Sequence, residues 1–213
     1  MIIAFSGQKG GVGKSTLSIA TAQELKRRGR DVVILDTDSQ STALIWSKGA
    51  EEGVPTVPVF VVNDELVKGA RAAAEKYDIV IIDVPGRLDS VQKRAMLAAN
   101  LAIFPLGPSD AELWAVQTNI QLVKEARDFN ENLDSVYLLN RMRKSSAETV
   151  EIRKLLEKNG QKTFESTIGD RVDFKRFLAY GAGIHEYAPT GKSSMEIKRF
   201  VTELERYLAL GVE

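Results

Sequence analysis

The sequence predicts an α/β fold: a doubly wound, mostly parallel sheet with helices on both faces. Five short runs are apolar or β-branched on successive residues, as strands covered on both sides require. Longer stretches with helical spacing separate them. The strict alternation of the two puts the carboxyl ends of the strands, and any ligand, along one side of the sheet.

In chain order, "IIAF" (2–5) is the first strand and runs into the glycine-rich "GQKGGVGKST" (7–16). A helix over 14–28 ends at "RRGR", with basic residues in its last turn and Gly29 as its stop. "DVVILD" (31–36), "YDIVIID" (77–83), "LAIFPL" (101–106) and "SVYLLN" (135–140) are the other strands, with helices over 64–76, 90–99, 111–128 and 146–159. "EEGVPTVPVF" (51–60) reads as a loop leading into a short strand. Beyond residue 160 the pieces shorten: a helix near 173–180, the loop "GAGIHEYAPTGK", and a last helix over 193–209. No repeat or linker interrupts the pattern. Residues 1–213 therefore read as one domain, with 160–213 a C-terminal helical elaboration.

Composition removes several chemistries. The 213 residues contain no cysteine, which excludes disulfides, thiolate metal sites and cysteine nucleophiles. The lone His185 cannot build a multi-histidine metal site and reads as structural. "MIIAF" is too short and uncharged for a signal sequence, and no apolar run approaches the roughly 20 residues of a membrane span. A cytoplasmic location is expected. Lys+Arg and Asp+Glu each total 29, so overall charge names no partner.

The glycine loop follows a strand and opens a helix, the setting a phosphate loop needs. Gly10, Gly11 and Gly13 let backbone N–H groups, with that of Val12, turn inward around phosphate oxygens. Lys14 is placed to reach the β- and γ-phosphates, Ser15 to ligate Mg²⁺, and Thr16 continues the helix N-terminus with its orphan amides. One feature is unusual: position 8 is Gln where the general pattern has glycine, and Lys9 adds a second cation.

The form "KGGVGKST" resembles the deviant Walker A motif of the ParA/MinD family of P-loop ATPases. The resemblance implies ATP and ADP as ligands, Mg²⁺ as cofactor, and a homodimer that forms around ATP. It also implies that Lys9 reaches the nucleotide of the partner subunit, making Lys9, Lys14 and Asp38 the catalytic group. Asp36 and Asp38 sit in "ILDTDSQS", which resembles the family's first switch. Asp38 would act on the attacking water, or else only form a turn; Asp36 would lie near Mg²⁺ or hold the loop. "IVIIDVPG" delivers Asp83, a Walker B aspartate expected near Mg²⁺ with Ser15, and Pro85 and Gly86 resemble the second switch. Asn140, ending "SVYLLN", contacts adenine in the resemblance, or is a turn former. "PLGPSDAELWAV" resembles a dimer-face segment, where Trp114 is either contact or core.

The likeness runs nearly the whole chain and points to the small ParF/Soj-like partition or cargo-positioning ATPases. They use a stimulating partner of the ParB/ParG or cargo-adaptor kind and bind duplex DNA without sequence preference. Nucleoid association in the ATP state follows. Residues 141–176 hold ten basic and six acidic side chains, Arg141, Arg143 and Lys144 among them. Arg171, Lys175, Arg176, Lys192, Lys198 and Arg199 are the candidate DNA contacts. No membrane partner is expected, because Glu196, Glu203, Glu205 and Glu213 suit the last helix poorly to an anionic surface. The alternatives are a P-loop small-molecule ligase of the dethiobiotin synthetase kind and a MinD-like membrane-associated ATPase.

Overall fold

Strands form where the sequence is apolar on both faces, and burial matches the pattern. β1 (Ile2–Phe5), β2 (Val32–Asp36), β4 (Ile79–Asp83) and β5 (Leu101–Leu106) are buried from end to end, as is most of β6 (Asp134–Asn140). With the short β3 (Val59–Val61) and β7 (Thr163–Ile168) they make a seven-stranded sheet in the order β3-β2-β4-β1-β5-β6-β7. Every pairing is parallel. The computed structural model describes residues 1–50, 54, 56–86, 89–108, 110–143 and 145–210, without the side chains of 89, 110–114 and 210. Lys144, Glu213 and the side chain of Trp114 lie outside the described residues.

Helices cover both faces. α1 (Lys14–Arg27), α2 (Thr42–Lys48) and α9 (Lys192–Leu210) pack on one face with the short α7 (Asp173–Arg176), the 3₁₀ turn Phe177–Tyr180 and α8 (Ile184–Tyr187). α3 (Leu66–Ala74), α4 (Asp89–Ala98), α5 (Asp110–Arg127) and α6 (Ala147–Lys158) cover the other. Alternate strand residues feed the two cores, Ile3 and Phe5 one way, Ile2 and Ala4 the other.

Three elements escape the sequence reading, one of them α8, which lies inside the stretch "GAGIHEYAPTGK" expected as a loop. α2 has seven residues and buries only Ala43 and Trp46, too little to show a helical period. β7, "TFESTI", carries Glu and Ser within an edge strand and lacks the continuous apolar run of its neighbours. The helix expected near 173–180 divides into α7 and the 3₁₀ turn.

The two edges of the sheet differ. Side chains meet the backbone of β7: Glu203 accepts from the amides of Glu165 and Ser166, and Arg153 donates to the carbonyls of Phe164 and Glu165. At the far edge no described strand lies beyond β3, and Phe60 and Val61 are left largely exposed.

α1 is fastened to α9 at its far end. Arg28 donates to Glu24, to the Thr202 hydroxyl, to Glu205 and to the Lys198 carbonyl. Hydrogen bonds to charged groups contribute roughly 1.5–3 kcal/mol each, less where water competes. Arg28→Ala should therefore lower unfolding free energy by about 2 kcal/mol in urea titrations. A loss below about 0.5 kcal/mol would show that the clamp holds nothing.

Candidate functional site

β1 and its neighbour β4 send their following helices to opposite faces, α1 to one and α4 to the other. That divergence opens a crevice at their carboxyl ends, where ligands of open α/β sheets bind. The loop after β1 fills it. Gly13, the residue before α1, has φ +96°, and a Cβ there would lie 2.5 Å from Asn140 Nδ2, so only glycine fits. Lys14 folds back over the loop and its Nζ donates to the Lys9 carbonyl at 2.8 Å. The opposite wall is the loop after β4, where a Cβ on Gly86 would stand 3.0 Å from Gly10 N. The phosphate loop and the loop after β4 thus lie backbone against backbone.

The register of β2 on β4 sets Asp36 directly beside Asp83, and both are fully buried. Their partners differ. Asp36 Oδ1 accepts from the Asp38 amide, and Oδ2 from the amides of Ala43 and Leu44. Both oxygens are thereby committed to backbone. Of the two roles open to Asp36, holding the loop is the one these three bonds support. Burial still holds its pKa above the ordinary carboxylate value.

Asp83 is the carboxylate left open. Ser18 donates to Oδ1 at 3.2 Å, while Oδ2 is buried with no donor in hydrogen-bonding geometry among the described residues. Burial pushes its pKa up to about 7 and the Asp36 charge adds to the rise; Ser15, Ser18 and Lys14 act against it. A buried carboxylate with an unpaired oxygen, its other oxygen held from the helix that the phosphate loop opens, fits a divalent cation held on a phosphate. Among the described residues no three His, Cys, Asp or Glu gather, so such a cation would take its other ligands from nucleotide and water.

Asp38 lies half-exposed in the turn that follows β2. Its Oδ1 accepts from the Gln40 amide and its carbonyl from Ser41 N, a turn-forming role. Asn140 is buried and doubly engaged: Nδ2 donates to the Val12 carbonyl at 2.7 Å, and Oδ1 accepts from the Arg141 amide. It ties β6 to the phosphate loop.

Beside Asn140 a cleft of about 260 Å³ opens between Gly13, Thr16 and Leu17 on one side and Phe174, Lys175 and Leu178 on the other. Arg141, at φ +60°, also borders it. The larger cleft beyond, about 520 Å³, is lined by Arg141, Arg143, Arg171 and Arg199, with Glu165, Asp170 and Glu196 among them. The candidate DNA contacts therefore separate. Arg171 is held by Glu196 in a bidentate pair and Lys175 lies 3.4 Å from Asp170, so both line clefts with their charges matched. Arg176, Lys192 and Arg199 are exposed, and Lys198 is half-exposed.

Sequence reasoning missed Ser18 and Thr37. Ser18 follows Ser15 by three residues, a spacing that puts both hydroxyls on one helical face. Thr37 lies between the two aspartates and its hydroxyl donates to the Asp83 carbonyl at 2.7 Å. Nothing in the sequence marked Arg141's left-handed backbone.

The Asp83 geometry yields a prediction with a sign. Its folded pKa stands above the unfolded value, so ionising it in the fold costs stability in full above about pH 7 and not at all below the ordinary value of 3.8. Asp83→Asn should raise the melting temperature of nucleotide-free protein by several degrees at pH 8, with the gain shrinking towards pH 5. The same change should weaken Mg²⁺-dependent nucleotide binding about tenfold or more. Calorimetry across the pH series checks both; a variant that melts lower at pH 8 contradicts the assignment.

Comparison with known proteins matches this geometry. The sequence profile described as "CobQ/CobB/MinD/ParA nucleotide binding domain" matches residues 3–184. Maintenance of carboxysome distribution protein A of Halothiobacillus neapolitanus is 27% identical over 206 residues, covering 95% of each chain. The chromosome-partitioning ATPase Soj of Thermus thermophilus is 28% identical over 235 residues, covering 95% of this chain and 94% of that one. In fold, the septum site-determining protein MinD of Pyrococcus horikoshii, solved with Mg-ADP, superposes with a TM-score of 0.75 at 19% identity, over 100% of this chain and 98% of that one. A phosphate loop with a second lysine, a buried aspartate pair and an all-parallel seven-stranded sheet all agree with that match, and the chain belongs to the CobQ/CobB/MinD/ParA family of nucleotide-binding domains.

Proposed function

We propose that the chain is an ATPase that dimerises around ATP, binds duplex DNA without sequence preference, and positions a cargo through partner-stimulated hydrolysis. The observation that carries the reading is the loop "KGGVGKS" set against Asp83, with two lysines for one phosphate site and one buried oxygen open for a cation. Lys14 leaves the Lys9 carbonyl for the phosphates of its own subunit. Lys9 reaches the phosphates bound by the second subunit, where a further cation offsets charge developing in phosphoryl transfer. Ser15 and Asp83 hold Mg²⁺, which draws charge from the phosphates when bound. Asp38 orients the attacking water, and Asp36 fixes the turn that carries it. The cleft beside Asn140 receives the base.

The relatives named for carboxysome distribution and chromosome partitioning support a positioning role, with a protein assembly or a DNA molecule as cargo. A membrane-anchored variant of this scheme finds little support in α9, whose Ile197, Phe200, Val201 and Leu204 are buried in the core. Among the described residues no helix is long and apolar enough to cross a membrane.

Light scattering should show a monomer with ADP and a dimer with ATP or a slowly hydrolysed analogue. Lys9→Ala should still bind nucleotide while losing the ATP dimer and about 100-fold in turnover. A variant that dimerises and hydrolyses normally removes the role across the interface. Rapid turnover only with a small acid or amine added would replace the reading with a ligase.

Binding to unrelated duplexes should require ATP and fall steeply across a salt series. Arg176→Glu with Lys192→Glu should reduce it without affecting nucleotide binding. Arg171→Glu is a poorer probe, since it places two carboxylates together beside the base cleft. Equal binding with ADP, or none at low salt, contradicts the DNA reading.

A further inference from the structure

The cleft of about 260 Å³ beside Asn140 has apolar walls from Leu17, Phe174 and Leu178. Its charged lining is mostly spoken for. Asp170 and Lys175 face each other at 3.4 Å, and Arg171 donates to Glu196 from Nε and Nη2. The remaining charged residue of the lining is Arg141. It is exposed, and among the described residues no hydrogen bond or ion pair occupies its guanidinium.

Reading the edge of a base takes a side chain whose donors and acceptors are turned towards the ligand. Asn140 turns them towards its own chain instead. Nδ2 donates to the Val12 carbonyl at 2.7 Å, and Oδ1 accepts from the Arg141 amide at 3.0 Å. Gly13 comes so close to Nδ2 that a Cβ there would lie 2.5 Å away, which pins the amide on the phosphate loop. Arg141 has φ +60°, a left-handed conformation that side chains other than glycine rarely adopt. It is held from both sides: Asn140 fixes its amide, and the buried Met142 that follows donates to the Ile168 carbonyl. Strained backbone of this kind gathers at ligand sites, where a side chain is kept in place for use.

A guanidinium is planar and weakly hydrated, and it stacks on a base whatever hydrogen-bonding groups the edge carries. We propose that the Arg141 guanidinium stacks on the base of the bound nucleotide and sets the preference of the site, purines over pyrimidines by ring area, with adenine and guanine accepted alike. Asn140 then positions the phosphate loop and leaves the base edge unread. The proposal rests on the reading above that this cleft receives the base.

The test measures by calorimetry, with Mg²⁺ present, how tightly the full chain binds ADP, GDP, UDP and inorganic pyrophosphate. In the wild type ADP and GDP should bind within about threefold of each other, and both about tenfold tighter than UDP. Arg141→Gly suits the left-handed backbone and should melt no lower than the wild type, whereas Arg141→Lys keeps the charge and loses the plane. Each should weaken ADP and GDP about threefold to tenfold, bring UDP level with them, and leave pyrophosphate unchanged. A preference for ADP over GDP beyond about tenfold means that the edge is read and overturns the proposal. So does pyrophosphate falling by the same factor as ADP, which would make Arg141 a support of the loop alone. Wild-type purine affinities in Arg141→Lys overturn it too, since charge without a plane would then suffice. If neither ADP nor pyrophosphate binds the wild type, the nucleotide reading itself fails; ADP binding that ignores both substitutions removes this proposal alone.

Discussion

Two ionisable carboxylates lie side by side at fully buried positions of the sheet, and the rest of the site is arranged around that constraint. Parallel register sets Asp36 against Asp83, and neither can be left unsupported at this depth. Asp36 is stabilised by three backbone amides from the segment C-terminal to it, which fixes the turn after β2 and the start of α2. Asp83 is supported from α1, by Ser15, Ser18 and Lys14, and only incompletely. Each carboxylate thus orients a different piece of machinery, one the turn carrying Asp38, the other the helix carrying the phosphate lysine.

In the function proposed above, that incomplete support is what separates a structural duty from a chemical one. A pair of equally satisfied acids would make a stable but inert strand end. Here both oxygens of Asp36 accept from backbone amides, whereas Asp83 keeps an oxygen that the chain itself does not pair among the described residues. The asymmetry arises in the segments that leave the two strands: a tight turn and helix after β2 supply amides, whereas Val84, Pro85 and Gly86 after β4 run past the phosphate loop. Asn140 adds rigidity from a third strand by holding the Val12 carbonyl, so the loop's curvature is set from the protein side.

The strand order, by contrast, was not legible, but the strands themselves largely were, because burial on both faces leaves an unbroken apolar run in β1, β2, β4 and β5. The phosphate loop and both aspartates were equally plain, since glycine spacing and strand ends are local features. The elements that stayed hidden depended on distant neighbours. β7 carries polar residues because Glu203 and Arg153 serve its backbone, and nothing within "TFESTI" announces them. Arg171 and Lys175 count as positive in the sequence, yet Glu196 and Asp170 neutralise them in space. A charge tally along the chain therefore does not say which cations are paired in space, and it could not divide Asp36 from Asp83 in their partners.

The unlike edges of the sheet bear on how copies of this chain can associate. Strand addition at β7 would have to displace the Glu203 carboxylate and the Arg153 guanidinium from the backbone they occupy. At β3 no described strand stands in the way. Growth by sheet extension is consequently one-sided: two copies joined β3 to β3 would consume each other's open edge, and a third would find only sealed ones. Judged from the described residues, edge-to-edge assembly would end at a pair, and a longer polymer would need contacts made by the helices.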